Sequence, residues 1–139
     1  MILCVLTACA SRPRQNTQPI DNDYVLALAA ANEFLEAWRS RDQERGLAVL
    51  SPRLRKSKDE EFLRFDISGI SNPHHESYEV TNGRRLPDGR YAFDVWLWEY
   101  YTAGQAGDPT TEKPLPYRVI VVKTGLETWQ VDDMPASSQ

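Results

Sequence analysis

His74-His75-Glu76 is the first place in this chain where side chains able to hold a metal or move a proton stand together. Adjacent residues of a strand point to opposite faces, so the two imidazoles diverge wherever the backbone is extended. Zinc takes three or four convergent ligands. No second ligand pair at such spacing accompanies the histidines, so neither a metal nor any other cofactor is expected. Imidazole titrates near neutrality, which keeps His74 and His75 as acid–base candidates. No partner for either is visible, and a solvated loop is their expected setting.

Asp94 is the other candidate. It lies within Arg90 to Tyr101, the most strand-prone run of the sequence. Alternation puts Tyr91, Phe93, Val95 and Leu97 on one face, and Asp94, Trp96, Trp98 and Tyr100 on the other. A carboxylate among apolar groups can serve as a general base when burial tunes its ionisation. The competing role is an ion pair across strands, with Arg118 as the expected partner. Both faces are rich in large apolar groups, and only one can pack on helices. Trp96, Trp98 and Tyr100, with Asp94 and Arg118, are therefore the candidate binding residues. Their partner would be a second copy of the chain, another protein or a small molecule. No nucleophile elbow, phosphate loop or dinucleotide glycine pattern is present.

The elements that must position these residues change character half-way along. Asp21-Asn22-Asp23 offers capping for a helix from about Tyr24 to Arg41, with Leu28, Ala31, Leu35 and Trp38 on its apolar face. Gln43 to Leu50 reads as a second helix, and Ser51-Pro52 interrupts it. Ser57 and Glu60 match a capping box, which predicts a third helix through Phe65 burying Phe62 and either Leu63 or Phe65. Beyond Gly69, Asn72 and Pro73 the period becomes two. Strands are expected around Tyr78, over Arg90 to Tyr101, over Tyr117 to Lys123, and over Glu127 to Asp132. Leu86-Pro87-Asp88-Gly89 and Thr124-Gly125 supply turns. Thr102 to Pro116, with three prolines, reads as a long loop. The expected class is α+β, with three N-terminal helices packed on a curved four-stranded antiparallel meander.

The chain has 139 residues, 16 basic and 20 acidic, for a formal net charge of −4. That length suits one domain, and that balance argues against nucleic acid as a partner. The basic run Arg53, Arg55, Lys56 and Lys58 passes straight into Asp59, Glu60 and Glu61, a pattern of a solvated surface.

Leu6-Thr7-Ala8-Cys9, after the apolar run Met1 to Leu6, resembles the lipobox of bacterial lipoproteins. The resemblance implies cleavage before Cys9, lipidation of Cys9, and a membrane-anchored place in the cell envelope. Residues 1–8 are then a signal-peptide remnant, short for a leader and lacking its basic start. Residues 9–22 are a polar tether, 23–134 the domain, and 135–139 a disordered tail. Cys4 leaves with the leader, so no disulfide is possible.

Ala31-Asn32-Glu33-Phe34-Leu35-Glu36-Ala37-Trp38 with Arg41-Asp42, then Leu47-Ala48-Val49-Leu50-Ser51, and the ending Trp129-Gln130-Val131-Asp132-Asp133-Met134, resemble the nuclear-transport-factor-2-like superfamily. That resemblance implies a cone-shaped α+β fold. Its members include isomerases, dehydratases and cyclases as well as non-catalytic binding modules, so both kinds of function stay open. If the lipobox is genuine, Cys9→Ser releases the protein from the membrane fraction when it is expressed with a full leader. Equal membrane retention of the two forms in fractionation refutes the anchor.

Overall fold

The computed structural model describes residues 21–69, 74–101, 110–111 and 114–135. The lipobox, the tether before Asp21, the segment with Asn72 and Pro73, most of the tail, and 102–109 and 112–113 lie outside them.

Helix α1 (Asn22–Ser40) begins where capping chemistry allows: the Asp21 carboxylate accepts the Asp23 N–H at 3.1 Å. It ends at Arg41, whose φ of 58° turns the chain left-handed. Asp42 then donates its N–H to the Ala37 carbonyl at 2.9 Å and caps α2 (Gln43–Ala48) through its side chain. Steps of three and four residues give α1 one buried stripe: Ala27, Ala31, Phe34, Leu35 and Trp38.

Four helices form, where sequence spacing suggested three. Pro52 does more than interrupt. With Ser51 as cap and Pro at the first helical position, it starts α3 (Pro52–Ser57). Ser57 is therefore the last residue of that helix, and its hydroxyl donates to the Leu54 carbonyl at 2.7 Å. It cannot also cap a fourth helix, so the capping box is not formed. α4 (Glu60–Ser68) starts from Asp59 instead. The later start sets its phase: Leu63 and Ile67 are buried, while Phe62 is 59% exposed rather than in the core. Gly46 in α2 lets α4 close in, since a Cβ there would stand 2.8 Å from Ile67.

The strands are β1 (His74–Arg85), β2 (Tyr91–Tyr101), the two-residue β3 (Thr110–Thr111), β4 (Leu115–Lys123) and β5 (Trp129–Asp133). The long strands form an antiparallel meander in the order β1-β2-β4-β5, and β3 pairs with the end of β2. His74 and His75 thus belong to a strand and not to a solvated loop. Both ends of the stretch expected as a loop are strand: β3 lies inside it, and Leu115 and Pro116 open β4. Gly89, at φ 87°, closes the β1–β2 turn.

One sheet face packs on α1. Tyr91, Phe93, Val95 and Leu97 of β2, Val119 and Val121 of β4, and Trp129 and Val131 of β5 are all buried there. The chain from Val49 to Ser51 lies along β5: Leu50 bridges Val131 in parallel, and Ser51 donates its N–H to the Val131 carbonyl at 2.8 Å. The Ser51 hydroxyl also reaches Asp132 at 2.6 Å. One residue therefore caps a helix and fastens it to the last strand. Trp38, 4% exposed, closes the helical stripe against the sheet. Trp38→Ala is expected to cost about 3–5 kcal/mol, seen as a lower urea midpoint. An unchanged midpoint would show that this ring is not part of the cooperative core.

Candidate functional site

The outward face of the sheet gathers the residues that the alternation of β2 separates from the core. Asp94 sits at its centre, between β1 and β4. Its two carboxylate oxygens take different cations: Arg84 Nη1 at 2.6 Å and Arg118 Nε at 2.9 Å. Hydrogen bonds from Arg118 and Arg84 hold the Asp94 pKa below its ordinary value of 3.8. A carboxylate made more acidic is a weaker base, so this position suits an ion pair better than proton abstraction. Beside it Trp96 is 37% exposed. Thr81, Asp94, Trp96, Pro116 and Arg118 line an open depression of about 470 Å³. Trp98 and Tyr100 continue the same face and are half-buried, and Tyr100 stacks on the His74 ring at 4.9 Å.

His75 turns the other way. Its ring lies under Trp38, centroid to centroid 4.0 Å and nearly parallel. Nδ1 is 2.6 Å from the Trp38 carbonyl oxygen. A carbonyl has no proton to give, so Nδ1 carries the hydrogen and Nε2 presents its lone pair. Nε2 faces Glu99 Oε1 at 3.7 Å, across the strand pair, with the imidazole side chain 4% exposed. Gly69, at the end of α4, covers the ring so closely that a Cβ there would approach Nε2 to 3.1 Å. Burial raises the Tyr117 pKa and the charge of Glu99 adds to it, which places that phenol in the same electrostatic neighbourhood. Among the described residues no group of three His, Cys, Asp or Glu could hold a metal ion.

No family model matches this sequence, and no curated protein matches it. Among solved structures, a ketosteroid isomerase-like protein from Erwinia carotovora atroseptica is similar, with a TM-score of 0.58 and 15% identity. The match covers 81% of this chain and 92% of that one. The chain has the nuclear-transport-factor-2-like fold.

At that identity the likeness concerns the backbone and transfers no residue roles. Within this nuclear-transport-factor-2-like domain, the sequence candidates fall into two separate places. Asp94, Trp96, Trp98, Tyr100 and Arg118 share the outer sheet face, with His74 at its end. His75 alone enters the interior. Two participants were not visible beforehand: Arg84, the second cation on Asp94, and Glu99, which faces His75. Counting back from the β1–β2 turn would have placed His75 opposite Tyr101. Two irregularities, at His75/Ser77 and Val80/Asn82, slide the register to Glu99.

Burial lowers the His75 pKa from its ordinary 6.5, opposed by the bond to the Trp38 carbonyl. The folded domain therefore resists protonation more than the unfolded chain does. Above about 6.5 both states carry a neutral ring and the site does not affect stability. As pH falls below that, the unfolded chain takes the proton first, and stability is lost until the folded value is passed. The expected outcome is a urea midpoint that drops between neutral and mildly acid pH, with a shallower drop in His75→Gln. Identical pH profiles for the two proteins would refute this linkage.

Proposed function

We propose that this chain is a lipid-anchored cell-envelope protein whose nuclear-transport-factor-2-like domain is a non-catalytic binding module. The observation that carries the binding reading is the outer sheet face. Trp96 stands exposed in a depression whose central carboxylate is already engaged by two arginines. Such a site offers apolar area and satisfied charges, which is the make-up of a contact surface rather than of a proton-transfer centre. The occupant proposed is a second copy of the chain. The face carries both signs of charge, Asp94 and Glu79 against Arg84 and Arg118, so two copies can meet about a twofold axis without facing only like charges. The envelope address rests on the Leu6 to Cys9 pattern and on a folded domain that begins at Asp21, just beyond a polar tether. No described helix is long and apolar enough to cross a membrane.

A second reading, a small isomerase- or dehydratase-like enzyme, is favoured by one specific observation. His75 Nε2 is a buried proton acceptor beside a carboxylate, in a fold shared with a ketosteroid isomerase-like protein. Turnover of a small carbonyl substrate that disappears in His75→Gln would favour that reading.

The binding reading is tested by sedimentation of the chain over a range of concentrations. Wild type is expected to approach the dimer mass, and Trp96→Lys to remain monomeric with an unchanged fold. A wild type that stays monomeric at the highest concentration rejects the proposed self-association.

A further inference from the structure

A second constellation lies far along the sheet from His75, where the β1–β2 turn meets the first turn of α1. There a pocket of about 240 Å³ is lined by Arg85, Arg90 and Lys123, by Asp23 and Asp88, and by one edge of Trp129. The carboxylates are already engaged. Asp23 accepts from Lys123 Nζ at 2.8 Å, and Asp88 from Arg90 at 2.8 Å. The donors are not all used. Arg85 lies 5.8 Å over the Tyr91 ring and makes no ion pair among the described residues. The nearby Asp21 carboxylate attracts it but is bonded to the Tyr91 hydroxyl at 2.5 Å and to the Asp23 N–H. Trp129 is 6% exposed, and its indole Nε1–H is buried with no acceptor among the described residues.

A buried N–H without an acceptor is rare in native proteins, and each one calls for a reason. Here the reason and the pocket coincide. Three cations and two carboxylates line it, leaving a formal excess of one positive charge. Its unused hydrogen-bonding capacity is all of the donor kind. The N-terminus of α1 adds the positive end of a helix dipole beside Asp23. A ligand matching this site must bring acceptors and negative charge. A cation would meet carboxylates that are already paired, and an apolar group would leave the indole donor unanswered.

We propose that this pocket binds an oxyanion, specifically a phosphate group. Arg85 and Lys123 supply the charge, Arg90 stands at the rim, and Trp129 Nε1–H is the donor that tells a phosphate from a bare charge. The site is separate from the outer sheet face and from His75, so it depends on neither the binding reading nor the enzyme reading. A phosphate group could come from a free anion or from a phospholipid headgroup. The pocket is built beside Asp21, the residue at which the chain enters the domain.

The test uses the full chain carrying Cys9→Ser, so that no acyl chain contributes. Inorganic phosphate is titrated calorimetrically at low salt, and flotation is measured with phosphatidylglycerol vesicles. Saturable binding of either probe is expected, at least tenfold weaker in both Arg85→Gln and Trp129→Phe. Phosphate binding identifies a free anion, and binding of vesicles alone identifies a headgroup. Trp129→Phe keeps an aromatic ring and removes the N–H. Arg85 is exposed, so Arg85→Gln keeps the test valid even if Trp129→Phe fails to fold. No saturable binding of either probe, or binding unchanged in a folded variant, overturns the proposal.

Discussion

Strand β2 sets the phase of this whole molecule through its alternation. Tyr91, Phe93, Val95 and Leu97 are each at most 2% exposed, and each such side chain contributes about 1.5–3 kcal/mol by leaving water. Their burial fixes the strand's rotation against α1 and hence the position of every other side chain on it. A slip of one residue would drive Asp94 into the core and carry Tyr91 and Phe93 to the surface. The outward grouping of Asp94, Trp96 and Trp98 follows from that inward packing. Neighbouring strands fall into line: Val80 and Tyr117 join the interior beside Val95, while Glu79 and Pro116 flank Trp96 outside.

Ionisable groups that go inside this fold are almost all answered by opposite charge. Burial raises the Asp132 pKa, and bonds from Arg53 and Ser51 reverse that, so the carboxylate remains ionised. Asp66 is met by Lys58 at 2.7 Å. These pairs fasten helices to strands and to each other. Removing one partner would leave a buried charge uncompensated, which costs far more than the pair itself contributes. His75 is built on another plan. It is held by a main-chain carbonyl and by stacking, both of which suit the neutral ring, and its free lone pair faces a carboxylate.

Much of this architecture was legible in the residues, and the parts that were not share a cause. Helix α1, the four long strands and the two faces of β2 are written in periodicity, because burial on one side imposes it directly. The Asp94–Arg118 pair was legible as well, since adjacent strands of a meander must bring such groups together. The start of α4 was not. Ser57 and Glu60 satisfy a capping pattern locally, but Pro52 had already placed Ser57 inside another helix. Local signals compete, and the earlier start prevails. The His75–Glu99 approach was hidden for a different reason. Irregularities in β1 leave no mark in composition, yet each shifts every pairing beyond it by one residue.

The segment from Val49 to Ser51 laid along β5 has a consequence for how this sheet meets other chains. An uncovered edge strand is a template on which foreign strands can add. Here Leu50 and Ser51 occupy the free side of β5 with main-chain hydrogen bonds, so that border is closed by the protein's own backbone. The opposite border is β1, which is left open but is ill-suited to copying. It is broken by two irregularities and carries Glu76 and Glu79 on exposed positions. The sheet is thus terminated by a cover on one side and by irregularity with charge on the other. Growth into a continuous intermolecular sheet is discouraged in both directions, and that leaves the flat of the sheet, not its rim, as the place where another molecule can settle.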